Sequence, residues 1–247
     1  MTATRYDTAQ NLINRAAIEL GLGSSSDVFA STDPKYVQLR GLLNTCGQDL
    51  VEAFEWEYLR REHAITTVGA TDTGAYALPD DFGYMINQTH WNRTDQLPMS
   101  GGMSAQQWQY VKGRSLSNTT IYISFRVFEN EFHVFPDDPV PDAKDLRFEY
   151  ISRYWVKLDG SASPDSDVVT ANGDVVLFKP TMIVQYLRFK FLDAKGFDSA
   201  SALGAFTKSY LQATGGNKGA PILNAGSSHN GVPLLDHRNI PVSNYGT

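Results

Sequence analysis

The 247-residue sequence contains a single cysteine, Cys46. That excludes an intrachain disulfide framework and any cysteine-built zinc site. No run approaches the ~20 apolar residues of a membrane span, so no membrane anchor is expected. The opening stretch, MTATRYDTAQNL, lacks the apolar centre of a secretory signal. The expectation is a soluble protein made in the cytoplasm, with the sequons at Asn87, Asn92 and Asn118 read as chance. An excess of positive charge is missing too. Lys and Arg total 21 against 27 Asp and Glu, for a formal net charge of −6. Phosphate binding needs clustered cations. A protein that grips DNA is disfavoured, whereas one that DNA slides past is not.

Catalytic signatures are scarce as well. There is no Gly-x-Ser-x-Gly elbow, no phosphate loop and no His-Glu-x-x-His. The glycine-rich stretch 215–219 has no strand leading into it and reads as a helix C-terminus. Asp159, Ser161, Ser163 and Asp165 look like part of a calcium loop. The central Gly is missing, however, and Thr170 stands where a bidentate Glu belongs. Asp80 and Asp81 could be imagined as an acid/base pair, or with Asp137 and Asp138 as a glycosidase site. Beside proline they read more simply as turn residues. The five histidines, His63, His90, His133, His229 and His237, are dispersed, with none at helical ligand spacing from another. Trp91, Trp108, Tyr110 and Trp155 suit a sugar- or base-stacking face, or core and subunit packing. No enzymatic activity, cofactor or metal is expected.

What is present is enough apolar sequence to fold: 42% apolar against 19% charged residues. A capping pair at Asp7 and Gln10 starts a helix with a stripe of Leu12, Ile13, Ala16, Ala17 and Leu20. Gly21 and Gly23 stop it, and 24–32 is a polar loop. Asp33-Pro34 starts a second helix through Leu39, Leu43, Cys46, Leu50 and Phe54, ending near Trp56 or Tyr58. Cys46 is then a core thiol.

The period changes at about residue 62. Strands are expected at 62–68, 75–78, 84–91, 119–128, 132–135 and 146–156. Ile121, Ile123, Phe125 and Val127 share one strand face, and Leu146, Phe148 and Tyr150 another. Residues 104–111 fit a short helix or a strand edge equally. Past the loop 159–171, Pro180 opens a helix with Ile183, Leu187 and Phe191 on one stripe, widened by Tyr186 and Phe189. Gly196 ends it in the left-handed conformation, with Phe197 placed to fold back on the last turn. Asp198 caps the next helix, whose inner face is Leu203, Phe206 and Tyr210. The fold class expected is α+β. Helices from 1–60 and 172–216 form one bundle, the antiparallel β region 61–171 is inserted between them, and 217–247 is an extended arm.

That arm is rich in Gly, Asn, Ser and Pro, yet it carries Leu223, Val232, Leu234, Leu235, Ile240 and Tyr245. A merely solvated linker has few such groups. A neighbouring subunit or a partner protein is the natural binding surface for it; the alternative is that it packs back on its own bundle.

Three stretches carry a resemblance: "FKFLDAKGFDSASALGAFTKSY", "ALPDDFGYMINQTHW" and "GVPLLDHRNIPVSNYGT". With them the chain resembles bacteriophage head-to-tail adaptor (connector, neck) proteins of short-tailed phages. It departs from that pattern where Phe189 and Phe191 stand in place of bulkier tryptophans. The resemblance implies a homo-oligomeric ring of twelve subunits in the virion neck. The arm docks on a portal protein, a tail or nozzle protein is received below, and DNA passes through the channel without specific binding. It makes Leu223, Val232, Leu234, Leu235, Arg238, Ile240 and Tyr245 the portal-binding residues. Tyr186, Phe189, Phe191, Phe206 and Tyr210 become bundle or subunit packing residues. The alternatives are another tail or neck protein (stopper, tube or terminator) and a carbohydrate-binding or -cleaving module.

Overall fold

The computed structural model describes residues 5–113 and 122–217. In chain order the elements begin with β1 (Asp7–Thr8), α1 (Ala9–Glu19), α2 (Pro34–Ala53), β2 (Arg60–Val68) and β3 (Ala75–Ala77). They continue with β4 (Phe82–Met85), β5 (Trp91–Asn92), β6 (Leu97–Pro98), β7 (Ser100–Gly101) and α3 (Ala105–Gly113). Next come β8 (Ser124–Phe128), β9 (Glu131–Phe135), β10 (Asp142–Ser152), β11 (Val156–Lys157) and β12 (Val175–Val176). The series closes with α4 (Pro180–Lys195) and α5 (Ala200–Asn217).

This is not a helical bundle carrying a β insertion. It is a mixed α/β fold in which the five helices are accompanied by three sheets. One sheet has the order β1-β12-β11, so strands lie within the helical layer itself. Its members are two residues long, too short to show a period, and β1 pairs with a partner from the far end of the sequence. The second sheet runs β2-β10-β5-β6, with β4 also on β10, and the third runs β3-β9-β8-β7. Both are antiparallel except for the parallel β7–β8 pair.

Two cores follow from this arrangement. The first joins the stripe of α1 (Leu12, Ile13, Ala16, Ala17), that of α2 (Leu39, Leu43, Cys46, Leu50) and that of α4 (Ile183, Leu187, Phe191). Trp155, Val156, Val176 and Phe178 from the strand side complete it. The second lies between the two larger sheets, where Phe132 stacks on Phe125 at 5.1 Å and on Phe148 at 5.0 Å. Leu146, Phe148 and Tyr150 share its buried face as the alternation requires. Val127 does not join Ile123 and Phe125 there, since it is exposed in β8. The one strand expected over 84–91 is two, β4 and β5, separated by a turn.

Helix ends obey local chemistry. Thr8, one residue later than expected, caps α1 by accepting from the Asn11 N–H at 3.4 Å. Asp33 caps α2 by accepting from the Lys35 N–H at 3.2 Å. The α2 helix stops at Ala53, short of Trp56, because the Trp56 indole turns back to donate to the Leu50 carbonyl at 2.6 Å. The segment 104–111 resolves as helix α3 through a reciprocal capping box. The Gln107 N–H donates to Ser104 Oγ (3.2 Å), and the Ser104 N–H to Gln107 Oε1 (2.8 Å).

The two glycines of α2 sit in opposite surroundings. A Cβ on Gly47 would overlap the indole ring of Trp155, whereas one on Gly41 meets nothing within 4 Å. Helix propensity favours Ala over Gly by ~1 kcal/mol at either site, but overpacking in a dense core costs ~1–3 kcal/mol or more. Gly41→Ala is therefore expected to stabilise by about 0.5–1 kcal/mol. Gly47→Ala is expected to destabilise by about 2 kcal/mol or more. Urea denaturation of the two variants, followed by tryptophan fluorescence, reads both signs.

Candidate functional site

The C-terminal hairpin is built as its sequence directs. Gly196 has φ +71°, its N–H donates to the Asp193 carbonyl and the Phe197 N–H to that of Leu192, each at 3.0 Å. The Asp198 carboxylate accepts from the Ala200 N–H at 3.0 Å. The Phe197 side chain, however, does not fold back; it is exposed.

The aromatic residues assigned to packing hold this hairpin to the rest of the chain. Tyr186 stacks on Phe206 with centroids 4.1 Å apart and planes 12° from parallel. The Tyr186 hydroxyl donates to Asp49 Oδ2 at 2.7 Å, and Lys190 Nζ reaches the same oxygen at 2.9 Å. Burial first, then that hydrogen bond, hold the Tyr186 phenol well above its ordinary range. The Tyr210 hydroxyl donates to the Ala53 carbonyl at 3.3 Å. Phe191 is buried in the first core, and Phe189 lies parallel to Tyr186 at 6.3 Å. All five thus make contacts within the subunit.

The inner face of α5 is Ala202, Phe206, Tyr210 and Ala213. Leu203, expected there, is 44% exposed, and Leu211 is 63% exposed. With Ala200, Gly204, Thr207, Lys208 and Gln212 they line a shallow, mainly apolar groove along the outward side of the helix. Lys208 is the one charged residue of α5. An amphipathic helix normally turns mainly polar groups outward, and this one exposes Leu203 and Leu211 among Ser201, Thr207, Lys208 and Gln212. The assigned portal-binding residues, Leu223, Val232, Leu234, Leu235, Arg238, Ile240 and Tyr245, lie outside the described residues, immediately beyond this helix.

The residues considered for chemistry are not brought together. Asp81 is buried, accepting from the Tyr150 hydroxyl at 2.8 Å and pairing with Arg61 Nη1 at 2.9 Å. Asp137 pairs instead with Lys112 at 2.7 Å. The calcium-like stretch is organised by a residue that the sequence did not single out, Asp174. Its carboxylate, 1% exposed, accepts from the Asp159 N–H (3.1 Å), the Thr170 N–H (2.7 Å) and hydroxyl (3.2 Å), and the Ala171 N–H (2.8 Å). Four donors converging on one carboxylate mark a structural hub. Among the described residues no group of three or more His, Cys, Asp or Glu could hold a metal ion. Trp108 and Trp155 are buried apart from each other, so the four aromatics form no common stacking face; Trp91 is half-buried and Tyr110 exposed. Burial pushes the Cys46 thiol far up, so it is a core group.

Comparison with known families finds no family that matches this chain, and comparison with curated proteins finds no match either. Function is therefore argued from the surfaces that the fold leaves open.

The histidines give the molecule an acid-sensitive side. His90 is stacked on Phe125 at 4.2 Å, and burial pushes it down to about 4. His63 and His133 are also held below their ordinary range, by burial first. Each is neutral in the fold and takes up a proton more readily when unfolded. Stability is thus full above the unfolded value of ~6.5 and falls as pH drops from there towards 4. A loss on the order of 2 kcal/mol between pH 7 and 4.5 is expected from His90 and its neighbours. Urea midpoints across that range measure it, and His90→Phe should flatten the largest share of the slope.

Proposed function

We propose that this chain is a non-enzymatic virion structural protein, a head-to-tail adaptor that forms a ring beneath a portal protein. One observation carries the reading. The chain spends its aromatic groups and most of its nearby charges on fixing the hairpin internally, then leaves Leu203 and Leu211 exposed on the outer face of α5, beside the single charge of Lys208, and its sequence continues into a segment that carries Leu223, Val232, Leu234, Leu235, Ile240 and Tyr245. Large apolar side chains left exposed along a helix with a single charge are ones that another chain can cover.

In this reading, Leu203, Gly204, Thr207 and Leu211 meet the neighbouring subunit, with glycine and threonine allowing close approach. A ring joins one face of each copy to a different face of the next. The residues at 218–247 then act as the hook to the portal by strand addition or groove docking. The acidic balance fits a channel that passes DNA and does not retain it. Ring assembly, with twelve copies as the resemblance implies, brings in the tail or nozzle protein below.

Two outcomes are expected. Leu211→Glu should change the stability of the isolated subunit by no more than about 0.5 kcal/mol, because the site is exposed, yet abolish ring formation. Deleting 218–247 should leave the thermal transition in place and abolish attachment to the portal. Native mass spectrometry of the protein, alone and mixed with a candidate portal, reads both. A subunit that never changes oligomeric state in the presence of the portal overturns the adaptor reading.

A further inference from the structure

The face of the β2-β10-β5-β6 sheet turned away from its core carries a second recessed surface. Register places its side chains. Arg147 is opposite Ala64 on one side and Trp91 on the other, and Trp91 is opposite Pro98. Glu149 is opposite Glu62 one step along. Residues two apart on β10 share a face, so Trp91, Arg147, Glu149 and Glu62 all line one cleft, of about 530 Å3.

Two carboxylates directly opposite each other on a sheet repel, and here arginines hold them in place. Arg147 binds Glu62 at 2.6 Å and Asp145 at 2.9 Å, Arg93 also reaches Glu62, and Arg60 binds Glu149 at 3.2 Å. The planar groups around the indole are therefore pre-oriented. The loops on either side of β5 add Gln88 and Gln96, with φ of +63° and +58°. That backbone region is unfavourable for residues other than glycine, and it is kept at both edges of the cleft. Among the described residues neither of their side-chain amides has a hydrogen-bond partner. A smaller hollow of about 250 Å3 shares Gln88 and Trp91 with the first and is lined by His90. His90 is only 7% exposed, and its buried Nε2 has no hydrogen-bond partner.

We propose that this cleft binds a saccharide, with a sugar ring lying on Trp91. The chemistry selects that class. An indole offers an apolar face with a polar edge. Carboxylates, guanidinium groups and amides supply paired donors and acceptors that match neighbouring hydroxyls. Glu62 and Glu149 balance Arg93 and Arg147, so the lining has no surplus cation for a phosphate backbone. The His90 ring, stacked on Phe125 and Phe148 behind β5, borders the adjoining hollow and not the cleft itself. Fixing the lining by ion pairs in advance lowers the ordering cost of binding. Nothing in the cleft depends on ring assembly.

The four tryptophans make the test specific. Trp56, Trp108 and Trp155 are buried, so a ligand that changes the emission of the folded protein reports on Trp91. The full chain is titrated with maltohexaose, cellohexaose and chitohexaose, with a thymidine oligonucleotide as the charged comparator. At least one hexasaccharide is expected to give a saturable change. Trp91→Phe should remove that change. Gln88→Asn with Gln96→Asn keeps residues that tolerate positive φ and should weaken binding at least tenfold with an unaltered circular dichroism spectrum. No response to any of the three sugars, or a response that persists in Trp91→Phe, overturns the proposal. So does a response to the oligonucleotide alone.

Discussion

The contact between Trp155 and Gly47 is the constraint on which the rest of the structure depends. Trp155 is fully buried and its ring lies where any side chain on Gly47 would stand. The residue follows β10, the longest strand, and precedes β11, so its position fixes where the large sheet ends and the helical layer begins. Its carbonyl accepts from the Leu177 N–H at 3.0 Å, which brings the segment before α4 to the same place. Phe178 packs against both Trp155, at 5.9 Å, and Trp56, at 5.5 Å. One aromatic junction thus sets the mutual placement of α2, the small sheet and α4. In a core at crystal-like density such a junction has little room to shift.

That junction also explains why part of the fold was legible in the sequence and part was not. Caps and stops are local, so Asp33-Pro34, Gly196 and Asp198 could be read directly, as could the buried stripes of α1, α2 and α4. The Ser104/Gln107 box was equally local, and attention to it would have decided α3. The two-residue strands of the first sheet were invisible, because they are defined by partners distant in sequence and carry no period of their own. Their presence turns a supposed bundle into a mixed α/β fold. Leu203 was misplaced for a related reason. Its spacing with Phe206 and Tyr210 fits one helix face, but it is Ala202, 4% exposed, that is buried, while Leu203 is 44% exposed. Small residues leave a weak signal in hydrophobicity and a strong one in packing.

The candidate surfaces were legible to a similar degree. Asp49, Asp81 and Asp174 are each committed to hydroxyls, ammonium or guanidinium groups, or backbone N–H groups. The Trp91 cleft escaped notice because its members are scattered from 62 to 149 in the sequence, and only strand register gathers them. The aromatic count hinted at a stacking face but pointed equally to Trp108 and Trp155, which the cores absorb.

The two open surfaces differ in the physics of what would cover them. The outer side of α5 is apolar and nearly uncharged. Covering it releases water from apolar area at roughly 25 cal/mol per Å2, so a partner needs shape and extent more than chemical identity. In the proposed ring, the next copy supplies both through a different face of its own surface. The sheet cleft is the reverse: small, polar and already braced by ion pairs, so it gains little from area and much from matched hydrogen bonds. A ligand lacking paired hydroxyls would leave its planar groups in competition with water. The helix face is therefore suited to building a structure, and the cleft to distinguishing one soluble ligand from another. The first lies on α5 and the second on a sheet face with no lining residue in common with it, so occupying one need not disturb the other.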